Sequence, residues 1–274
     1  MLEIHVLASG SHGNALLLSH GSCRVLVDAG LSARKLTARL ESCGTPPGQL
    51  DGILLTHEHG DHTRGLKVLV SKSRIPVFAT PLTADHLKRS GISADWNLFS
   101  SGMSFRVGPL EVFAFPVPHD AADPVGFVVR CEEGSFAVLT DLGYATRQVI
   151  EAVRGVNALL IETNHDEALL QQDIKRPWSV KQRILSRHGH LSNAAAADLV
   201  GEIASEALSH VVLGHLSRDC NSPELACSAV SSRLEAKGHR GVAIQCAPGE
   251  EGAPILRFAC QKAAGPLQPA ARIA

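Results

Sequence analysis

The stretch Thr56-His57-Glu58-His59-Gly60-Asp61-His62 carries four potential metal ligands: three imidazoles and one carboxylate. The apolar segment 53–55 precedes it and predicts a short buried strand, and residues 65–70 after it predict the start of a helix. The cluster therefore lies on a loop at the carboxyl end of a strand, where α/β folds place ligand sites. Imidazole and carboxylate groups suit Zn²⁺ or a similar divalent ion such as Mn²⁺. Four ligands exceed what one catalytic ion with an open position needs, which indicates two metal ions.

Three further potential ligands follow other predicted strands. His119 comes after the strand predicted at 110–117, Asp141 after that at 135–139, and His215 after that at 211–213. Strand ends on one edge of a sheet converge. We therefore expect all of these side chains to meet the 57–62 cluster in one site.

Length and composition describe a globular protein rather than a disordered one. The chain has 274 residues, 45% hydrophobic and 19% charged, with a formal net charge of −1. No global field attracts a polyanion, so a nucleic-acid contact requires a local basic patch. The seven cysteines show no paired spacing, which favours reduced thiols and a cytoplasmic location. The sequence predicts no signal peptide and no membrane span.

Hydrophobic periodicity predicts strands and helices in alternation over most of the chain. The predicted strands are 2–8, 15–19, 23–27, 53–55, 76–79, one around Phe105, 110–117, 126–131, 135–139, 158–161, 211–213, 242–246 and 255–259. The predicted helices include 33–42, 83–89, 194–208 and 223–237, within which Ser192 or Asn193 can cap the third. Residues 263–274 are rich in Ala and Pro, and we expect a poorly ordered tail.

The ligand motif and the order of the later single ligands resemble the metallo-β-lactamase-fold hydrolases. The resemblance covers nearly the whole chain and implies one catalytic domain, 1–262, with a four-layer αββα sandwich of the α/β class. It also implies a dinuclear site in which Asp141 bridges the two ions and Asp28 braces the metal loop. The implied ligands are His57, His59 and His119 for the first ion, and Asp61, His62 and His215 for the second.

Within that family the chain is most similar to the YycJ/WalJ group of bacterial exonucleases. The segments that carry this similarity are 9–14, 162–166, 189–193 and 214–217. The group shares its core with ribonuclease Z, in which a glutamate partners a histidine that protonates the leaving group, and Glu162 and His190 match those positions. The short stretch between His119 and Asp141 leaves no room for the tRNA-binding arm of ribonuclease Z.

The resemblance implies a phosphodiesterase that degrades DNA from the 5′ end. Two metal ions would share a hydroxide that attacks phosphorus in line. His190 would protonate the leaving alkoxide, with Glu162 fixing its tautomer. Asp61 would both ligate metal and accept a proton from the nucleophile, and Asp120 would support His119.

Several residues near the predicted site are candidates for substrate binding. Ser192 and Asn193 open a helix whose free N–H groups could hold a phosphate, although simple N-capping explains them as well. Asn164 and His165 follow the strand that ends near Glu162 and could line the cleft. Basic residues near the site loops could contact a phosphate backbone: Arg64, Lys181, Arg183, Arg187 and Arg218.

Two other functions stay open at this point. A small-molecule hydrolase on the same metal core, such as a cyclic phosphodiesterase or a lactonase, is favoured by the nearly neutral net charge. A small closed apolar pocket would support it, whereas an open basic groove would support the nuclease. A non-catalytic, metal-binding regulatory protein is the second alternative. The sequence does not determine the oligomeric state.

Overall fold

The first of two seven-stranded sheets is built mainly by the N-terminal part of the chain. A computed structural model describes residues 1–249 and 254–260. The strands of this sheet are β1 (Leu2–Ala8), β2 (Ala15–His20), β3 (Cys23–Val27), β4 (Gly52–Leu54), β5 (Pro76–Ala79), β6 (Asp95–Leu98) and β14 (Leu256–Cys260). Their order is β14-β1-β2-β3-β4-β5-β6. Because β3, β4 and β5 are parallel, their carboxyl ends share one edge.

The second sheet repeats this arrangement. Its strands are β7 (Ser104–Val107), β8 (Leu110–Pro116), β9 (Val125–Cys131), β10 (Gly134–Leu139), β11 (Ala158–Glu162), β12 (His210–Gly214) and β13 (Ala243–Cys246). Their order is β13-β12-β11-β10-β9-β8-β7. β10 to β13 run parallel, so the loops after β10, β11 and β12 emerge together.

Helices cover the outer face of each sheet. The first sheet carries α1 (Ala33–Ser42), α3 (Leu66–Lys72) and α4 (Pro81–Arg89), and the second carries α5 (Arg147–Val153), α8 (Asn193–Ile203) and α9 (Pro223–Ala236). The metal loop contains the single turn α2 (Gly60–Thr63), and α6 (Glu167–Gln172) and α7 (Trp178–Ile184) lie between β11 and α8.

The alternation of β1 shows how the sheets pack. Leu2, Ile4 and Val6 enter the core between the sheets, where they join Phe127 and Phe136. Leu7 lies on the opposite face, in the core beneath α1, α3 and α4. The fold is thus a four-layer αββα sandwich, and the predicted fold class is confirmed.

The sequence missed one strand and overextended one helix. β6 is a polar, mostly exposed strand at the edge of the first sheet, so it lacks the apolar alternation that marks buried strands. α8 ends at Ile203 rather than 208 because the chain must turn before it enters β12 at His210. Ser192 caps this helix by accepting a hydrogen bond from the Ala195 N–H over 3.2 Å. The tail predicted at 263–274 lies outside the described residues.

All seven cysteines are free thiols. In the part of the chain that the structure describes, no helix has both the length and the apolar character needed to cross a membrane.

Candidate metal centre

Three strands end in residues with left-handed backbone conformation, and all three point to one site. Asp28 follows β3 with φ 60°, Asp141 follows β10 with φ 51°, and His215 follows β12 with φ 55°. Among the described residues these are the only non-glycine residues with positive φ. Such a conformation costs about 1–3 kcal/mol per residue and persists only where the surrounding structure enforces it. Each side chain is at most 3% exposed.

Asp28 anchors the metal loop. Its Oδ1 accepts from the Thr56 N–H over 2.9 Å, and its Oδ2 accepts from the Thr56 hydroxyl over 2.9 Å. Nδ1 of His62 donates to the same Oδ2 over 2.7 Å. This fixes the imidazole so that its other nitrogen, Nε2, lies 2.7 Å from Asp141 Oδ2.

Three histidines form the first ligand cluster. One ring nitrogen from each of His57, His59 and His119 lies within 4.8 Å of the others. His119 Nε2 is 3.3 Å from His59 Nδ1, and His57 Nε2 is buried with no hydrogen-bond partner. Buried polar atoms are normally paired. A divalent cation would give the unpaired nitrogen of His57 a partner and would be reached by the other two imidazoles.

The second cluster surrounds Asp141. Its Oδ1 lies 2.8 Å from Nδ1 of His215, and Asp61 Oδ2 is 3.8 Å from His62 Nε2 and 3.9 Å from His215 Nε2. His57, His62 and Asp141 also offer ligand atoms within 4.8 Å of one another. Asp141 therefore lies close to residues of both predicted ligand sets, and its Oδ2 has no partner with hydrogen-bond geometry. The residues present fit divalent metal ions, and the number of ions and the individual ligand roles stay predictions.

Burial and neighbouring charges shift the pKa values of several groups in this cluster. Burial opposes a charge on His62, but the carboxylates of Asp28 and Asp141 raise its pKa to about 10. The pKa of His57 is held well below its usual range by burial and by the neighbouring His62. Burial disfavours the charge on Asp141, but His215 and His62 hold its pKa well below its usual range. A cation that displaces the proton on His62 would take over the same electrostatic role.

Glu162 and His190 form a buried pair beside the second cluster. Nδ1 of His190 donates to Glu162 Oε1 over 2.7 Å, and Oε2 of Glu162 accepts from the N–H groups of Leu142 and Leu191 over 3.0 and 3.2 Å. Glu162 is fully buried, whereas the His190 side chain is 19% exposed. Despite burial, Glu162 and Asp141 raise the pKa of His190 to about 10. Burial opposes the charge on Glu162, but His190 lowers its pKa to about 2.

Asp120 links His119 to a helix on the far side of the site. Its Oδ1 lies 3.3 Å from His119 Nε2, and its Oδ2 accepts from Arg183 Nε over 2.6 Å. Although burial alone would raise it, the hydrogen bond from Arg183 lowers the pKa of Asp120. His119 is held from the other side, because its Nδ1 donates to the Gly189 carbonyl over 3.2 Å.

Most of the predicted substrate-binding residues are engaged with the protein itself. Ser192 donates to Glu167 Oε1 over 2.8 Å, and Asn193 exchanges amide hydrogen bonds with Asn221 over 2.8 and 2.9 Å. Asn164 donates to the His215 carbonyl over 3.1 Å. His165 is 1% exposed, and neither ring nitrogen has a partner. Arg218 is exposed, and a binding role for any of these residues stays a prediction.

Sequence reasoning missed three side chains that support the site. The Ser9 hydroxyl accepts from the His215 N–H over 2.9 Å, and the Asn14 amide nitrogen lies 3.0 Å from His62 Nε2. Glu58 accepts from the Ala122 N–H over 2.7 Å, which ties the metal loop to the loop after His119. The Gly- and Ser-rich turn at 9–14 was the only local signal for the first two, because their partners are distant in sequence.

Comparison with known proteins agrees with the fold and identifies the family. A family model described as "Beta-lactamase superfamily domain" matches residues 23–215. The chain is 39% identical to exodeoxyribonuclease YycJ of Bacillus anthracis over 240 residues, covering 86% of this chain and 90% of that protein. It is 36% identical to exodeoxyribonuclease WalJ of Streptococcus pneumoniae over 244 residues, covering 87% and 90%. The metallo-β-lactamase fold protein YhfI of Bacillus subtilis superposes with a TM-score of 0.70 at 14% identity, over 94% of this chain and 100% of that chain.

Proposed function

This chain belongs to the β-lactamase superfamily and is a metal-dependent hydrolase, and on that premise we propose that it is a two-metal exodeoxyribonuclease acting from the 5′ end. The observation that carries the proposal is the Glu162–His190 pair, which lies against Asp141 at 3.3 Å. A protonated imidazole beside the metal ligands is suited to cleavage of a phosphodiester, whose leaving alkoxide needs a proton. The preference for DNA is supported by two similar proteins that are named as exodeoxyribonucleases.

Seven side chains would hold the two ions, with Asp141 shared between them. The remaining ligands are His57, His59 and His119 on one side, and Asp61, His62 and His215 on the other. When bound, the ions, Zn²⁺ or Mn²⁺, would supply Lewis-acid activation of water and of the phosphoryl group. Asp61, whose side chain is 24% exposed, would accept a proton from the attacking water.

His190 would hold the proton that the leaving group takes. Its Nδ1–H is fixed on Glu162 Oε1, so Nε2 is the nitrogen left to donate to the departing oxygen. Glu162 cannot rotate away, because the N–H groups of Leu142 and Leu191 hold its second oxygen. The pair is therefore oriented before substrate binds, which lowers the entropic cost of the proton transfer.

The alternative of a small-molecule hydrolase is favoured by the net charge of −1. Against it, the described part of the chain contains a groove of about 900 Å³ whose lining includes five Lys or Arg side chains. Such a lining matches a phosphate backbone better than a small neutral substrate. We further propose that residues 1–262 act as one catalytic domain and that the protein works in the cytoplasm.

One assay on metal-loaded protein tests the proposal. It would follow 5′-labelled and 3′-labelled DNA, single- and double-stranded, with matched RNA, in Zn²⁺ and in Mn²⁺. We expect stepwise loss from the 5′ end of DNA, abolished in His59→Ala. If only bis-p-nitrophenyl phosphate is cleaved and no polymer is touched under either metal, the small-molecule hydrolase replaces the nuclease. Faster cleavage of RNA than of DNA would overturn the DNA preference.

A further inference from the structure

A basic groove runs away from the metal centre along α1. Its volume is about 900 Å³, and its walls include α1, the turn at 9–14, Gly249 and residues 254–257. The cationic side chains that line it are Lys35, Arg39, Arg64, Arg218 and Arg257. Among the described residues, no Asp or Glu lines this basic groove. Five cationic side chains thus line one groove of a chain whose net charge is −1.

The near end of the basic groove is built on the metal loop itself. Arg64 comes two residues after His62, and its guanidinium donates to the His12 carbonyl over 2.8 Å. Arg218 comes three residues after His215 and is exposed. The Asn14 N–H donates to the Asp61 carbonyl over 2.7 Å, which fixes the turn at 9–14 against the ligands. The near end is thus built by residues that neighbour His62 and His215, two of the ligands predicted for the second ion.

The far end lies at the carboxyl terminus of α1. There Arg257 donates from its guanidinium to the Ser42 carbonyl over 2.8 Å. The ten residues of α1 span about 15 Å at 1.5 Å per residue. At about 3.4 Å of rise per nucleotide of one strand, this length corresponds to roughly four nucleotides.

The lining also indicates which part of a nucleic-acid ligand the basic groove would contact. No Phe, Tyr or Trp is among the described residues that line the basic groove, so there is no aromatic platform on which bases could stack. Guanidinium and ammonium groups contact phosphate oxygens irrespective of sequence. An extended polyanion fits these features, and a compact uncharged substrate does not.

We propose that the basic groove binds the sugar–phosphate backbone of the DNA strand on one side of the cleaved bond, over about four nucleotides, without reading its bases. The inference rests on the proposed nuclease function. It adds a binding surface whose members come from α1, the metal loop, the loop after β12 and β14, and which extends well beyond the metal centre. Binding there would be driven by release of counterions from the strand.

The test compares Arg218→Gln, at the near end, with Arg257→Gln, at the far end, in metal-loaded protein. Arg89→Gln is the matched control, because Arg89 is exposed and ends α4, which begins at the edge near the metal centre and runs away from it. The readouts are kcat and KM on labelled oligonucleotides of two to twelve nucleotides, measured across a salt series. Turnover of bis-p-nitrophenyl phosphate is followed in parallel.

Each groove variant should raise KM for long DNA about five- to eightfold at 0.1 M salt, because one lost phosphate contact removes about 0.7–0.9 from the slope of log affinity against log salt. kcat should stay within about twofold, and the salt slope should fall by about one. The Arg257→Gln effect should require substrates longer than about four nucleotides. Arg89→Gln should match the unsubstituted protein on every substrate.

Three results would overturn the inference in distinguishable ways. If the wild-type protein does not cleave DNA, both the proposed nuclease function and the proposed role of the basic groove are wrong. If the groove variants cleave long DNA with the same salt slope and KM as Arg89→Gln, the proposed role of the basic groove is wrong and the nuclease function stands. Equal losses on long DNA and on the small diester would show that the arginines act on the metal centre and not on a bound strand.

Discussion

Replacing His190 by Ala should slow DNA cleavage far more than cleavage of an activated diester. In DNA the leaving group is an alkoxide that must be protonated, and the raised pKa of His190, about 10, keeps the imidazole charged at neutral pH. General acids contribute about 10²–10⁴ in rate, which corresponds to about 3–5 kcal/mol of barrier. Since p-nitrophenolate departs without a proton, turnover of bis-p-nitrophenyl phosphate should fall less than about tenfold.

The substitution also has a structural cost that must be separated from the chemical one. Loss of the 2.7 Å contact leaves Glu162 fully buried, but its carboxylate keeps two backbone N–H donors and lies 3.1 Å from His215 Nδ1. We expect a loss of about 1–3 kcal/mol in the free energy of unfolding. His188→Ala is the matched control, because His188 lies on the same loop with an exposed side chain.

The assay measures kcat on a labelled oligonucleotide and on bis-p-nitrophenyl phosphate, with bound metal and urea midpoint determined for each variant. A large loss on DNA with a small loss on the activated diester supports proton donation by His190. Equal losses on both substrates, with metal content reduced, would refute the acid assignment and make His190 a residue that positions the ligands. An unchanged DNA rate would remove it from the mechanism altogether.

Three further predictions concern the scaffold of the site. Asp28→Asn keeps a residue type that tolerates φ 60° but loses the carboxylate that holds His62 and Thr56. Metal affinity measured by competition with a chelator should therefore fall about 10–100-fold. Unchanged metal affinity would contradict the anchoring role of Asp28. Because the pKa of His62 is raised from 6.5 to about 10, metal must displace its proton, and the apparent metal affinity should rise about tenfold per pH unit per displaced proton between pH 6 and 8. In the metal-free protein the same raised pKa contributes stability that is fully present below pH 6.5 and is lost as the pH rises toward 10. A urea midpoint of the metal-free protein that increases over that pH range would contradict the raised pKa. Gly30→Ala would place a Cβ on the Asp61 carbonyl oxygen, where the backbone is held by hydrogen bonds, and should cost about 3 kcal/mol of unfolding free energy. Gly241→Ala is the control, because a Cβ at that position meets open space. Equal urea midpoints for the two variants would refute the packing argument.

The periodicity of the chain was enough to predict most of the strands and the main helices. In β1 the apolar residues Leu2, Ile4 and Val6 alternate with the polar residues Glu3 and His5, and this local pattern is visible in the sequence of the strand alone. β6 was not predicted because an exposed edge strand has no such alternation. The resemblance carried by the 57–62 motif supplied the fold family, which a periodicity argument does not supply.

The site shows a different division. The sequence by itself determined which residue types stand at the ends of β4, β10 and β12, because a buried strand followed by His or Asp is visible locally. Only the tertiary structure decided that Asp28, Asp141 and His215 adopt left-handed backbone, that Glu162 is shared between His190 and His215, and that Ser192 and Asn193 are bonded to protein neighbours. It also brought Arg218 and Arg257 into one groove with α1. The reason is physical: hydrophobic pattern reports the burial of each residue, whereas distances between residues far apart in the chain are set by how two sheets pack and where their parallel strands end.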